Sequence, residues 1–260
     1  MIKFYILTDL EGVSGTDSFT QTRTNDSGPE GKGPSMKQLA REVNACAEGI
    51  RAVYPDAVID VWDGHGSGGI FPEDLVGCDY QRDYRPHCGQ LAGYAAMLFV
   101  GQHAMAGTID APLCHTYSSR DILYYRLNGV FIGEFGARAL LAGVQGVPTI
   151  FLSGDDKAAL EAQMFVPEIE TAVTKFGKGF ESAVHIDADE SCRIIREGAE
   201  RAVRRMDEIA PFTRITAPYT FEARYYRPFW KEGVKEQGAR VYVDDYTYRV
   251  ETDDIFKLPF

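Results

Sequence analysis

Two carboxylates with one residue between them, Asp9 and Glu11, stand where the apolar run Ile2–Thr8 gives way to glycines in "TDLEGVSG". Charge at the end of a buried-type strand costs desolvation unless a cation or solvent meets it. His65 in "DGHGSGG" and His103 in "LFVGQHA" follow strand-like runs in the same way. Carboxylates and imidazoles are ligands for divalent metals such as zinc. Asp9 and Glu11 are two apart, so on extended chain they point to one side. Glycines at 12, 15, 64, 66, 68 and 69 let backbone approach a small ligand closely. Singly, each residue also reads as a solvated turn or a hydrogen-bonded surface histidine. Spacing alone leaves both a metal site and a set of plain strand ends open.

The elements that must position these residues follow from periodicity. Ile2–Thr8 reads as a buried strand, and Thr16–Pro34 as a polar loop. Ser35 reads as the N-cap of a helix whose Met36, Leu39, Ala40, Val43, Cys46, Ala47, Ile50 and Tyr54 share a face. Pro55-Asp56 stops it, and Ala57–Trp62 is the next strand. This strand–helix–strand order favours a parallel sheet. "AAMLFVGQHA" is a further strand ending at His103, and Asn128-Gly129 in "ILYYRLNGVFIG" is a hairpin signal. Glu134–Ala142 reads as a helix and Pro148–Leu152 as a strand. A long helix near Asp189 turns Cys192, Ile195, Ala199, Val203 and Met206 inward, with Arg193, Arg196, Arg201, Arg204 and Arg205 on a solvated face. The fold class expected is α/β: a mostly parallel central sheet flanked by helices, with a smaller β-rich C-terminal part. Open sheets of this kind bind ligands at the C-terminal strand edge, where Asp9, Glu11, His65 and His103 all fall.

Composition changes after Pro211. "FTRITAPYTFEARYYRPFW" and "ARVYVDDYTYRVE" are aromatic and β-rich. The expected organisation is an α/β domain over 1–210 and a C-terminal subdomain or interface element over 211–260. Tyr225, Tyr226, Phe229 and Trp230 crowd one stretch, and Tyr242, Tyr246 and Tyr248 alternate along one strand-like run. Aromatic surfaces of this sort suit an interface core.

The 260 residues carry a net charge of −11, which argues against nucleic acid or an anionic membrane as partner. No apolar run is long enough to span a bilayer, and no basic segment leads into an apolar one at the start. Five cysteines without CxxC spacing suggest reduced thiols and a cytoplasmic protein.

"TDLEGVSG", "DGHGSGG", "LFVGQHA", "LCHTYSS", "NGVFIGEFG" and "VPTIFLSGDD" occur in the order and at about the spacing seen in the M55 family of zinc D-aminopeptidases, which this chain resembles from Met1 to about Asp207. The resemblance implies that Asp9, Glu11, His65, His103 and Glu134 bind two Zn2+ ions and that His115 is the catalytic residue. If Asp9 bridges, one zinc takes Asp9, Glu11 and His103, and the other Asp9, His65 and Glu134. A bridging hydroxide completes each shell and attacks an amide carbonyl. His115 then serves proton transfer or the oxyanion. Asp63, two before His65, reads either as a turn residue or as a partner orienting an imidazole. His87 and His185 have no motif support and read as structural. The function implied is an aminopeptidase releasing N-terminal D-amino acids from short peptides. The type of assembly implied is a homo-oligomer, a decamer in the family's type member.

Two other classes compete with this reading. A haloacid-dehalogenase-like, Mg-dependent phosphatase would use Asp9 as nucleophile and Asp155 and Asp156 of "SGDD" at the metal. It leaves His65, His103, His115 and Glu134 idle and lacks a convincing motif lysine. A non-catalytic metal-binding assembly protein would not need the full ligand set together with His115.

Overall fold

The computed structural model describes residues 1–81, 88, 90–228 and 240–260, with backbone only for 25–30. His87, Phe229 and Trp230 lie outside the described residues.

A seven-stranded sheet forms the centre. Its strands are β1 (Lys3–Thr8), β2 (Val58–Asp63), β3 (Asp79–Tyr80), β4 (Ala96–Gln102), β7 (Thr149–Asp155), β8 (Glu170–Gly179) and β9 (Ser182–His185), in the order β3-β2-β1-β4-β7-β8-β9. All pair in parallel except β8 with β9. β4 and β7 are buried at every residue, which accounts for the apolar stretches AMLFV and IFL within them. Strand order runs one way from β1 to β3 and the other way from β4 to β9. The switch between β1 and β4 is where such sheets leave a crevice at their C-terminal edge.

Helices cover both faces. Helix α1 (Thr24–Arg51) links β1 to β2, and α3 (Asp156–Phe165) links β7 to β8. The two crossovers travel in opposite directions along the sheet, so right-handedness places them on opposite faces. Helix α4 (Ala188–Arg204) packs on α1, and α2 (Glu134–Gly143) packs on α3. The arginine stripe of α4 is solvated and paired with glutamates, Arg193 to Glu190 and Glu197 and Arg204 to Glu200.

Helix α1 starts eleven residues before the Ser35 cap expected from sequence and runs through Pro34. Ser35 is buried and its hydroxyl accepts from Thr16 at 2.7 Å instead of capping. The added turns are held by tertiary contacts: Lys32 is buried and donates to Ser67 Oγ at 2.8 Å. Those contacts outweigh the stop that Pro34 signals in isolation.

A second, antiparallel sheet joins the C-terminal strands β10 (Tyr219–Tyr225), β11 (Arg240–Tyr242) and β12 (Thr247–Thr252) to the hairpin β5 (Ile122–Leu127) and β6 (Val130–Phe131), in the order β11-β12-β10-β5-β6. Asn128 and Gly129 both have positive φ, 49° and 83°, as a two-residue hairpin turn requires. The run holding Tyr242, Tyr246 and Tyr248 is a hairpin and not one strand. Asp244 accepts from the Tyr246 amide at 2.7 Å and makes the turn between β11 and β12. Many of the aromatics pack on their own chain: Phe221 against Tyr125, Tyr248 and Phe260, and Tyr225 and Tyr242 against Tyr248. Among the described residues no helix is long and apolar enough to cross a membrane.

Candidate metal centre

Asp9 and Glu11 follow β1, His65 follows β2 and His103 follows β4, so three parallel strands deliver four side chains to one edge. The chain leaves extended conformation after Thr8, so Asp9 and Glu11 are brought together by a turn and not by strand alternation. That turn presses against the end of β4. The Gly12 amide donates to Gly101 O at 2.7 Å, and a Cβ on Gly12 would sit 2.2 Å from the Gln102 carbonyl oxygen. Glu134 enters from the N-terminus of α2, and His115 from the loop between β4 and β5. All six side chains meet at or beside one cleft of about 520 Å3.

The rings are held in defined tautomers. His103 Nδ1–H donates to Ala104 O at 2.8 Å, which leaves the lone pair on Nε2. That Nε2 is buried without a hydrogen-bond partner, 3.2 Å from Asp9 Oδ2 and 3.5 Å from Glu134 Oε1. His65 Nε2–H donates to Thr22 O at 2.9 Å, leaving Nδ1 to face Glu11 Oε2 at 3.0 Å and Asp9 Oδ1 at 3.3 Å. Glu11 Oε2 also makes no hydrogen bond. Nitrogen lone pairs therefore face carboxylate oxygens across about one cation's width. Only a cation between them, a proton or a metal, makes that arrangement favourable.

The electrostatics agree. Burial works against charge on Glu11 and Glu134, yet the neighbouring imidazoles overcome it and hold Glu11 well below the usual carboxylate range and Glu134 at about 2. Burial likewise opposes charge on His65 and His103, and the carboxylates outweigh it and draw both rings well above the ordinary imidazole range. The cluster is built to hold positive charge. His115 differs: burial, then the neighbouring His103, push it down, so it stays neutral where the others do not. Its Nδ1–H donates to Leu113 O at 2.8 Å, and its Nε2 lies 3.8 Å from Glu134 Oε1.

The distances divide the ligands around the two oxygens of Asp9. Oδ1 lies with Glu11 and His65, Oδ2 with His103 and Glu134. Asp9, Glu11 and His103, grouped from sequence, also present donor atoms within 4.8 Å of one another, as do His103, His115 and Glu134. Asp63 lines the cleft but spends its carboxylate on main chain, accepting from the amides of His65 at 3.1 Å, Gly69 at 2.6 Å and Ile70 at 3.3 Å. It shapes the glycine loop that carries His65. His185 lies away from the cleft lining, accepting from the Gly15 amide and facing Asp17. Asp155 caps α3 and Asp156 accepts from the Gly177 amide, and neither lines the cleft, so a phosphatase reading finds no metal pair there.

Sequence reasoning passed over several residues. Trp62, Tyr117, Tyr125, Arg138 and Phe260 line the cleft, and Arg23 stands at its edge with its guanidinium over Phe19 and a bond to Ser119 Oγ at 2.6 Å. Arg138 carried a readable signal, since it is the one charge after Glu134 in the otherwise apolar helix "EFGARALLAG". Lys175, buried in β8, donates to the carbonyls of Glu11, Val13 and Thr16 and so ties down the loop that presents Glu11.

The family model Peptidase_M55, D-aminopeptidase, matches residues 2–258. A curated D-aminopeptidase of Bacillus subtilis (strain 168) is 26% identical over 225 residues, 84% of this chain and 79% of that one. The fold is that of a solved structure described as the Zn-dependent D-aminopeptidase DppA from Bacillus subtilis, a self-compartmentalizing protease. The two superpose with a TM-score of 0.85 at 22% identity, covering 98% of this chain and 93% of that one.

Proposed function

The chain belongs to peptidase family M55, the D-aminopeptidases, and on that premise we propose that it is a dinuclear zinc aminopeptidase releasing N-terminal D-amino acids from short peptides. The observation that carries the two-metal reading is Asp9, whose oxygens each face a different imidazole lone pair. In this reading Asp9, Glu11 and His65 would hold one zinc, and Asp9, His103 and Glu134 would hold the other. Three carboxylates and two imidazoles suit Zn2+, the metal named for the structural relative. When bound, a zinc pair supplies Lewis acidity toward the scissile carbonyl and lowers the pKa of the attacking water.

The chain's own residues do the rest. The Tyr117 amide donates to Glu134 Oε1 at 2.7 Å and fixes that carboxylate. The carbonyls of Thr22 and Ala104 orient His65 and His103. His115, kept neutral by burial, takes a proton from the attacking water at Nε2 and returns it to the leaving amine. Trp62, Tyr117, Tyr125 and Phe260 give the otherwise polar cleft an aromatic side against which the substrate's apolar parts can rest.

We place the protein in the cytoplasm, a reading supported by its five free thiols. Assembly into a homo-oligomer, a decamer in its finest form, is part of the same proposal. Exposed Leu160 and Met164, one turn apart on α3, and Phe176, Phe180 and Val184 on the β8–β9 edge support it. Light scattering coupled to gel filtration tests the assembly, and a monomer mass at micromolar concentration refutes it.

The function is tested with a panel of D- and L-aminoacyl amides assayed with and without Zn2+ after chelation. Zinc-dependent release of D-residues is expected. Full activity in metal-free protein, or cleavage of L-substrates alone, overturns the reading.

A further inference from the structure

One cation in the cleft wall has no counterpart in the metal chemistry. Arg138 lies on α2 one turn beyond Glu134 and is 6% exposed. Its guanidinium sits between two rings, 5.3 Å from the centre of Trp62 and 5.2 Å from that of Tyr117. Among the described residues no carboxylate lies within salt-bridge distance of it, and its Nη1 is buried without a hydrogen-bond partner. The Tyr117 hydroxyl beside it is equally buried and unpartnered. Both residues line the same cleft as Glu11, His65, His115 and Glu134.

A buried cation with no anion is costly, and a planar guanidinium braced between rings is pre-organised for a carboxylate. Glu134 does not fill that role, since it is engaged by the Tyr117 amide and faces His103. Arg138 also borders a small void of about 10 Å3 together with Asp9, Trp62 and Glu134. Arg138 is thus beside the reacting centre and not in it. In a dipeptide the C-terminal carboxylate also stands one residue beyond the scissile carbonyl.

We infer that Arg138, with the Tyr117 hydroxyl, receives the free C-terminal carboxylate of the substrate, so that the substrate class is dipeptides with an uncapped C-terminus. The inference deepens the hydrolase reading above and rests on it. Longer peptides, whose carboxylate lies further from the scissile bond, and C-terminally amidated ones forgo this contact. Arg138 acts here on specificity, and the bonds that break are the same in either case.

The test compares D-Ala-Gly with D-Ala-Gly amide in the zinc-loaded protein. Wild type is expected to prefer the free acid in kcat/KM by at least about tenfold, the scale of one charge-assisted pair. In Arg138→Gln that ratio falls to near one, chiefly through KM, and in Arg138→Lys it is intermediate because the charge remains and the fork is lost. Equal kcat/KM for acid and amide in wild type overturns the inference, with no variant needed. So does a preference that survives in folded, zinc-replete Arg138→Gln. If wild type cleaves neither compound, the hydrolase reading fails, and calorimetric titration with N-acetylglycine and its amide still decides the receptor. Tighter binding of the acid, lost in Arg138→Gln, supports it, and equal binding of acid and amide overturns it.

Discussion

His103 and His115 stack face to face, with ring centroids 3.9 Å apart and planes inclined by 15°. Each is tied through Nδ1 to a backbone carbonyl, so both present Nε2 toward Glu134. Yet their surroundings drive them apart. Carboxylates draw His103 toward the charged form, and burial beside that ring keeps His115 neutral. His103 is committed to the proposed metal through Nε2, so the neutral His115 beside it is the ring left to move a proton. His115→Ala is therefore expected to keep both metals while turnover falls by roughly two to four orders of magnitude. Elemental analysis and turnover measured on one preparation check this. Near-normal turnover with full metal content would remove His115 from the chemistry.

Asp9 is expected to be the residue on which both metals depend. Its two oxygens face His65 and His103 separately, while Glu11 faces only His65 among the imidazoles in close contact. Asp9→Ala should emerge from dialysis with neither metal, and Glu11→Ala with one. Metal content per chain by elemental analysis separates these outcomes, and a Glu11→Ala protein that loses both equally would contradict the division.

Lys175 is expected to support the site from beneath. Its ammonium is fully buried and bonds three carbonyls of the loop that carries Glu11, with Val13 O at 3.2 Å. Lys175→Met should destabilise the fold by on the order of 3–5 kcal/mol, since three buried acceptors lose their donor. It should also weaken zinc retention. Urea unfolding and competition with a chelator measure the two effects.

Glu42 makes stability depend on pH. Burial pushes its carboxyl from the ordinary 4.5 to about 7, against the amide of Ser14 and the side chain of Gln38 that favour the anion. A folded-state value raised above the unfolded one gives stability that is fully present below about 4.5 and lost as pH rises through about 7. Glu42→Gln keeps the Oε1 acceptor and removes the titration. The variant should be more stable than wild type at pH 8 by on the order of 1–3 kcal/mol, with no such gain near pH 4.5. Urea midpoints of the two proteins at both pH values check the sign.

The sequence alone determined the parallel sheet, because a central strand buried on both faces shows a continuous apolar stretch, AMLFV from Ala96 in β4, and strand–helix–strand order constrains pairing. It also determined the Asn128-Gly129 hairpin, where only a few residue types tolerate positive φ. The carboxylates and histidines at strand ends were legible for the same reason, since they break apolar runs at one sheet edge. Tertiary structure decided what local pattern could not. Thr24 starts α1 because Lys32 finds Ser67 across 35 residues, a contact that overrides Pro34. The second sheet takes β5 and β6 from the middle of the chain, where alternation shows strands but not their partners. Which carboxylate oxygen faces which imidazole, and the company of Arg138 and Lys175, depend on distances between residues far apart in sequence. Burial of a charge is a property of everything packed around it, and no spacing along one chain encodes that.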